Sequence, residues 1–292
     1  MKYEVIHSTV YSATAEVLAS QHLARLAPRG TDCQRTLEHS LTISPHPTDL
    51  RERLDYFGNR TTIFSLQAPY RELQVTARSL VEIVPPQAEL PFESLEWEEV
   101  ASRLRNAQHG TEAGSALEFS YASPLIPRHP DFLEYARHAF TPGRPLLEAA
   151  VELTGMIFHD FRFDPSATTI ATPPLEVLKR RRGVCQDFAQ VQIACLRSLG
   201  FAARYVSGYI ETLPPPGQPK LVGADASHAW VSLWCPPLGW VDLDPTNNLR
   251  PTTQHITVGW GRDFNDISPL RGVFTSSGTQ DLKVSVDVNR VP

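Results

Sequence analysis

Cys185 follows Val184 and Gly183 and opens a stretch with helical spacing. Val184, Phe188, Val191, Cys195 and Leu199 recur every three or four residues, the single apolar stripe of an α-helix. Gly200 is the residue expected just past its C-terminus. Cys185 therefore sits at or near the helix N-terminus, one residue off the stripe. Unpaired backbone N–H groups and the positive end of the helix dipole favour a thiolate there. The same N–H groups can hold the oxyanion of an attacked carbonyl. A second buried thiol is the plainer alternative. Cys195 falls on the stripe and reads as an inert core thiol.

A second chemical segment lies downstream. Ser227-His228-Ala229-Trp230-Val231-Ser232-Leu233-Trp234 and Trp240-Val241-Asp242-Leu243-Asp244 both alternate polar with apolar residues, the pattern of a hairpin. His228, Trp230, Asp242 and Asp244 share its polar face. One allowed register sets His228 opposite Asp244 with a tight loop at Cys235–Pro237. Another sets His228 opposite Asp242. Either brings an imidazole beside a carboxylate. With Cys185 this completes a nucleophile, a base and a group to orient the base, the set that cysteine acyl transfer requires.

Other residues have two readings each. Lys179-Arg180-Arg181-Arg182 are basic residues suited to a helix C-terminus, or a cationic rim that draws an acidic substrate. Trp230 and Trp240 are sheet filler or cleft walls. The loop from Pro214 to Asp225 is an ordinary connection or a cover for the cleft. Asp225 is a minor rival partner for His228.

These groups need a scaffold. Leu73, Val75, Ala77, Val81 and Ile83 alternate with polar residues, as do Leu37, Leu41 and Ile43, so residues 1–84 read as β structure. Phe57-Gly58-Asn59-Arg60 has the chemistry of a hairpin turn. Pro85-Pro86 ends this region. Residues 85–130 read as a connector with a short helix or two. Helical spacing then runs through 131–161 with a break at Pro142-Gly143, and a short helix runs from about Leu175 to Gly183. The expected domains are 1–84, a β-rich unit, and 131–292, the chemical core. The C-terminal strand 281–291 is a candidate to return to the N-terminal sheet.

The chain has 292 residues, enough for about two domains. Lys and Arg total 27 against 32 Asp and Glu, a net charge of −5, which argues against a nucleic-acid partner. No apolar run is long enough to span a membrane, and the first residues lack a secretory core, so a cytoplasmic protein is expected. The four cysteines form no CxxC pair, so neither a disulfide framework nor a metal site is expected, and no cofactor.

Gly-Val-Cys-Gln-Asp-Phe-Ala at 183–189, Ser-His-Ala-Trp-Val at 227–231 and Gly-Trp-Val-Asp-Leu-Asp-Pro-Thr-Asn at 239–247 together resemble the core of the bacterial transglutaminase-like superfamily. Arg204 to Tyr209 looks like its strand after the cysteine helix. Residues 1–84 resemble the N-terminal region of bacterial members, and Gly261 to Val273 their C-terminal segment. The resemblance implies an α+β fold, with a β-sandwich-like domain followed by a papain-like core. It implies Cys185 as nucleophile, His228 as base and Asp244, rather than Asp242, as orienter. Gln186, Trp230, Trp240 and Tyr209 become candidates for the cleft or oxyanion hole. No Gln, Asn or Trp lies between Phe163 and Cys185 to complete that hole, so Gln186 or backbone N–H groups alone would serve. The implied activity is amide acyl chemistry on a peptide or protein substrate. Water as acceptor makes a peptidase, an amine makes a transglutaminase, and a chain without turnover would be a binding module on the same fold.

Overall fold

Alternation becomes burial in the N-terminal region. The computed structural model describes residues 1–84, 94–212 and 227–291. Six strands come first: β1 (Lys2–Val17), β2 (Ala19–Ala24), β3 (Gln34–Ser44), β4 (Asp49–Leu54), β5 (Arg60–Leu66) and β6 (Tyr70–Ile83). Along β6, Leu73, Val75, Ala77, Val81 and Ile83 are buried while Arg71, Glu72, Gln74 and Arg78 are exposed. The β4–β5 turn uses Gly58 at φ +75°, a backbone state that a Cβ disfavours. Pro85-Pro86 lies outside the described residues.

The chemical core follows. Its helices are α1 (Trp97–Arg105), α2 (Glu112–Ala116), α3 (Pro130–Ala136) and α4 (Leu146–Asp160). A short parallel ladder joins β7 (Arg162–Phe163) to β8 (Arg182–Gly183), with α5 (Pro174–Arg180) between them. Helix α6 (Cys185–Ser198) lies on β9 (Ala203–Ile210) and β10 (Ser227–Trp234). Strands β11 (Trp240–Leu243) and β12 (His255–Gly261) complete an antiparallel sheet of order β11-β10-β9-β12. Phe188, Val191, Cys195 and the sheet residues Ala203, Tyr205, Ala229, Val231 and Leu233 share one apolar cluster. The break between α3 and α4 contains Gly143 at φ +73°, and α6 ends before Gly200 at φ +91°.

After α7 (Phe264–Ile267) the chain returns to the N-terminal strands. Strand β14 (Gln280–Val291) pairs along β1 from Lys2–Val291 to Ala13–Gln280. Strand β13 (Leu270–Thr275) pairs with β2. Sequence reasoning kept 270–275 with the core; its alternation is too brief to name a partner strand. The result is two four-stranded sheets, β14-β1-β6-β3 and β13-β2-β5-β4, around Val17, Leu26, Phe64, Leu66, Leu73 and Val75. The fold is α+β. Among the described residues no helix is long and apolar enough to cross a membrane.

The sandwich grips β12 through two side-chain amides. Gln34 Nε2 donates to Thr257 O at 2.7 Å, and Thr257 N donates to Gln34 Oε1 at 2.8 Å. Asn59 Nδ2 donates to Trp260 O at 2.8 Å, and Trp260 N donates to Asn59 Oδ1 at 3.1 Å. Each amide satisfies a backbone pair as a neighbouring strand would. The β12–β9 register shifts between Thr257 and Gly259. A Cβ on Gly259 would stand 2.4 Å from Asn59 Oδ1, so the shift needs glycine. Around this polar contact Tyr3, Val5, Val81, Ile83, Tyr209, Ile256 and Val258 form a separate apolar cluster.

Candidate active site

Cys185 is the first residue of α6, with Val184 as its extended N-cap. Asp187 secures this end. Its Oδ2 accepts Val184 N at 2.8 Å and Thr168 Oγ1 at 2.6 Å. Valine has no acceptor, so the reciprocal bond of a capping box is missing. Gly183 is forced by the packing: a Cβ there would stand 2.5 Å from Asp187 Oδ2. Asp164 N also donates to Gly183 O at 2.9 Å, fixing the segment before the thiol. Cys185 is half-buried, whereas Cys195 is fully buried and its thiol is pushed up by desolvation. The two cysteines of one helix therefore have different exposure.

His228 stands near the start of β10, opposite Gly208. Its Nε2 donates to Asp244 Oδ2 at 2.7 Å. The Cys185 thiol also acts on this ring and favours its charged form. With Nε2 given to the carboxylate, Nδ1 is the nitrogen left for sulfur. Burial alone would lower the imidazole. The bonds to Asp244 and Cys185 outweigh it and push it up to about 10. Burial would raise Asp244, but the bonds from His228 and His255 hold its carboxyl well below the usual range.

The β10–β11 register differs from both sequence expectations. Ser232 lies opposite Asp242 and Trp234 opposite Trp240. The loop runs from Cys235 to Gly239, closed by Cys235 N donating to Gly239 O at 2.7 Å, with Gly239 at φ +75°. It is longer than the tight turn expected, so the return strand shifts by two residues and face sharing is retained. Asp244 then lies just beyond β11, in a bridge with Leu249, and meets His228 diagonally. Asp242 is turned to Trp230, whose Nε1 donates to its Oδ2 at 2.9 Å.

Two residues missed by sequence reasoning complete the cluster. His255 Nε2 donates to Asp244 Oδ2 at 2.9 Å, and Asn247 Nδ2 donates to the same oxygen at 2.8 Å. Thr246 N and Asn247 N donate to Oδ1 at 2.9 and 3.2 Å. The Asp-Pro-Thr-Asn turn signals the role of Asn247, since an Asp carboxylate commonly accepts the N–H two residues on. Nothing local marks His255, which arrives on a separate strand. His228, Asp244 and His255 offer three metal-ligand atoms within 4.8 Å of one another. Their 2.7 and 2.9 Å separations are those of hydrogen bonds with a proton on each Nε2.

The other candidates separate. Gln186 is half-buried in the first turn of α6. Trp230 is fully buried, stacked on His228 with ring centres 6.0 Å apart, so it backs the imidazole and is not an open wall. Trp240 is partly exposed and lines a groove. Tyr209 is away from the thiol. It is buried in the sandwich contact, in hydrogen-bond contact with His7 Nδ1 at 3.0 Å. It follows Gly208 by one position and so takes the opposite face of β9. The basic run is tied down: Arg180 pairs with Glu176, and Arg181 pairs with Asp160 and lies over the Tyr135 ring. The loop at 214–225 and Asp225 lie outside the described residues.

Residues 134–245 match the model of the transglutaminase-like superfamily, and residues 3–82 match the bacterial transglutaminase-like N-terminal region. The chain belongs to the transglutaminase-like superfamily. An uncharacterised protein of Mycobacterium tuberculosis is 41% identical over 297 residues, covering 98% of this chain and 92% of its own length. A protein-glutamine gamma-glutamyltransferase of Pseudomonas aeruginosa is 33% identical over 107 residues, covering 34% of this chain and 16% of that one. The solved structure of a candidate cysteine protease from Cytophaga hutchinsonii superposes with a TM-score of 0.75 at 19% identity, covering 100% of this chain and 92% of that one. That likeness is one of fold, and it covers sandwich and core together.

Proposed function

We propose that this transglutaminase-like protein is a cysteine-dependent amide hydrolase acting on a peptide or isopeptide bond. The observation that carries the reading is the 2.7 Å bond from His228 Nε2 to Asp244 Oδ2, on an imidazole that also feels the Cys185 thiol at the tip of α6. Before attack the thiol proton already rests on His228 Nδ1, a sulfur–imidazolium pair that fits an imidazole pushed up to about 10. The Cys185 sulfur attacks the amide carbon, and the resulting oxyanion faces the first-turn N–H groups of α6. The imidazolium returns the proton to the leaving nitrogen as the C–N bond breaks, leaving a thioester. Water then gives a proton to His228 and attacks the thioester carbon. The C–S bond breaks, the sulfur returns as a thiolate beside the imidazolium, and a carboxylic acid leaves. Asp244 fixes the tautomer and stabilises the imidazolium throughout.

The test is mass spectrometry of the protein mixed with a peptide-amide library. The expected result is an acyl adduct on Cys185 that disappears into free acid, with no adduct and no turnover in Cys185→Ala. Turnover that survives in Cys185→Ala overturns covalent catalysis. Iodoacetamide separates the enzyme from a binding module, because Cys33 is also half-buried. Cys185 is expected to alkylate much faster than Cys33; equal rates favour the module.

The local likeness to a protein-glutamine gamma-glutamyltransferase supports a second reading, in which an amine replaces water. Adding a primary-amine probe to the trapped thioester distinguishes them. Hydrolysis gives the acid at every amine concentration, and transfer gives the amide adduct.

A further inference from the structure

A groove of about 730 Å³ runs between the sandwich and the outer face of the β11-β10-β9-β12 sheet. That is the size of a small-ligand or peptide side-chain site. Arg204 of β9 and Asp242 of β11 line it, on either side of the buried Ser232 of β10 that stands opposite both. Trp260 approaches from β12 on one side of β9, and Trp240 from β11 beyond the other. The Arg204 guanidinium carbon lies 3.8 Å from the Trp260 ring centre and 4.1 Å from that of Trp240. The guanidinium is thus held between two indoles.

Among the described residues this cation makes no hydrogen bond and no ion pair. Its Nε is sealed from solvent without an acceptor, and so is the hydroxyl of Ser232 beside it. Asp242 is the closest counter-charge, but its Oδ2 accepts from Trp230. Burial pulls the Arg204 guanidinium down, Asp242 opposes this and Arg29 adds to it. Such a group is costly to keep unless a charged acceptor meets it. Arg29 stacks on Trp260 at 3.6 Å but spends Nη1 on Phe57 O and Asn59 Oδ1. It adds a second positive charge to the groove. Arg250 adds a third positive charge to the lining, against the two carboxylates Asp32 and Asp242.

With Nε sealed, the two Nη groups are what Arg204 offers to the groove. Side by side, they match the two oxygens of a carboxylate. The indoles confine the approach to the guanidinium plane, which suits a flat carboxylate better than a tetrahedral phosphate. We propose that this groove is a subsite for a peptide carboxylate, received by Arg204 in its slot between Trp240 and Trp260. His255 also lines the groove, and its Nε2 holds Asp244. The carboxylate site therefore adjoins the cluster behind His228, and the substrates favoured would be acidic peptides. That last step rests on the hydrolase reading; binding itself does not.

The test uses the 292-residue chain carrying Cys185→Ala, so that binding is read without turnover. The probes are acetyl-Ala-Glu-Glu-Ala-amide, its Gln-Gln counterpart, and acetyl-Ala-Ala-Ala with a free C-terminus. Titration calorimetry and tryptophan fluorescence report binding beside Trp240 and Trp260. The Glu peptide is expected to bind at least about tenfold more tightly than the Gln peptide, a difference of roughly 1.4 kcal/mol. Tighter binding of the free-acid peptide would assign the site to a C-terminal carboxylate. Arg204→Gln should bring the Glu peptide to the Gln level, and Asp242→Asn should tighten it. Gly30→Glu keeps Arg204 in place, because a Cβ at Gly30 meets only Gln34 O at 4.0 Å, and its charge on the rim should weaken the acidic peptide. Equal binding of Glu and Gln peptides, no binding of any probe, or full binding by Arg204→Gln overturns the proposal. Inorganic phosphate displacing the peptide better than acetate overturns the flat-slot assignment.

Discussion

His255 places its Nε2 2.9 Å from Asp244 Oδ2, the same oxygen that His228 engages at 2.7 Å. One carboxylate oxygen thus serves two imidazoles, and Asn247 Nδ2 reaches it as well. Such a crowd of donors keeps Asp244 ionised although it is fully buried. It also anchors the carboxylate to β12, which the sandwich grips through Gln34 and Asn59. The N-terminal domain is therefore mechanically linked to the orientation of His228.

Removing the second imidazole should weaken the first. His255→Phe takes one donor from Asp244 Oδ2, so the carboxyl becomes easier to protonate and holds His228 less firmly. Turnover is expected to fall about tenfold, the scale of losing a group that orients a site ligand. The acid limb of the pH–rate profile should move to higher pH. His255→Gln, which keeps an N–H donor, should recover much of the rate. A wild-type rate and profile in His255→Phe would falsify this link.

The thiol is one of the groups that push His228 up, so Cys185→Ala should lower its titration. Histidine NMR is expected to show His228 charging at a lower pH in the variant. For stability, a raised imidazole contributes most below its unfolded value near 6.5 and loses that contribution as pH rises toward about 10. The depressed Asp244 contributes above about 4 and loses it as pH falls toward its folded value. Thermal melts should therefore decline from neutral pH toward pH 10, and less steeply in His228→Gln. An equal alkaline slope in both proteins would mean that His228 is neutral in the fold.

Much of the site is legible in the residues because its signals are local. The apolar stripe from Val184 to Leu199 places Cys185 at the tip of α6, and face sharing along β10 and β11 brings His228 near Asp244. What spacing misses comes from elsewhere in the chain. His255 reaches Asp244 from a strand whose position depends on Gln34 and Asn59. Tyr209 has the composition of a cleft residue, yet its face of β9 meets the sandwich. The β10–β11 register depends on a loop closed by Cys235 and Gly239, and alternation is blind to a shift of two residues. Strand β13 shows the same limit: a strand's partner is set by long-range packing, not by its own pattern, whereas the return of 281–291 to the N-terminal sheet is expected.

The two neighbouring aspartates should differ sharply. Asp244→Asn removes the charge that stabilises the imidazolium and offers an amide in its place. It is expected to cost at least about a hundredfold more activity than Asp242→Asn, since losing a triad carboxylate costs about 10⁴-fold. Asp242 bonds to the Trp230 indole, and asparagine can still accept that N–H. Comparing kcat of the two variants decides the matter; a larger loss in Asp242→Asn would give the orienting role to the wrong-side carboxylate.

Gly208 sets the seat of the imidazole through Trp230. It lies opposite His228, and a Cβ there would stand 2.6 Å from Trp230 Cη2 and 2.1 Å from Ile256 O. The indole is fully buried and stacked on His228, so it has nowhere to retreat without moving that ring. Ile256 O belongs to β12, next to His255, so the same methyl would press on both histidine partners of Asp244. Overpacking of this kind costs about 3 kcal/mol. Gly208→Ala should lower the urea midpoint accordingly and reduce turnover beyond what partial unfolding explains. Unchanged stability with normal turnover would show that the strand can shift there, and that close packing of Trp230 is not what holds the imidazole.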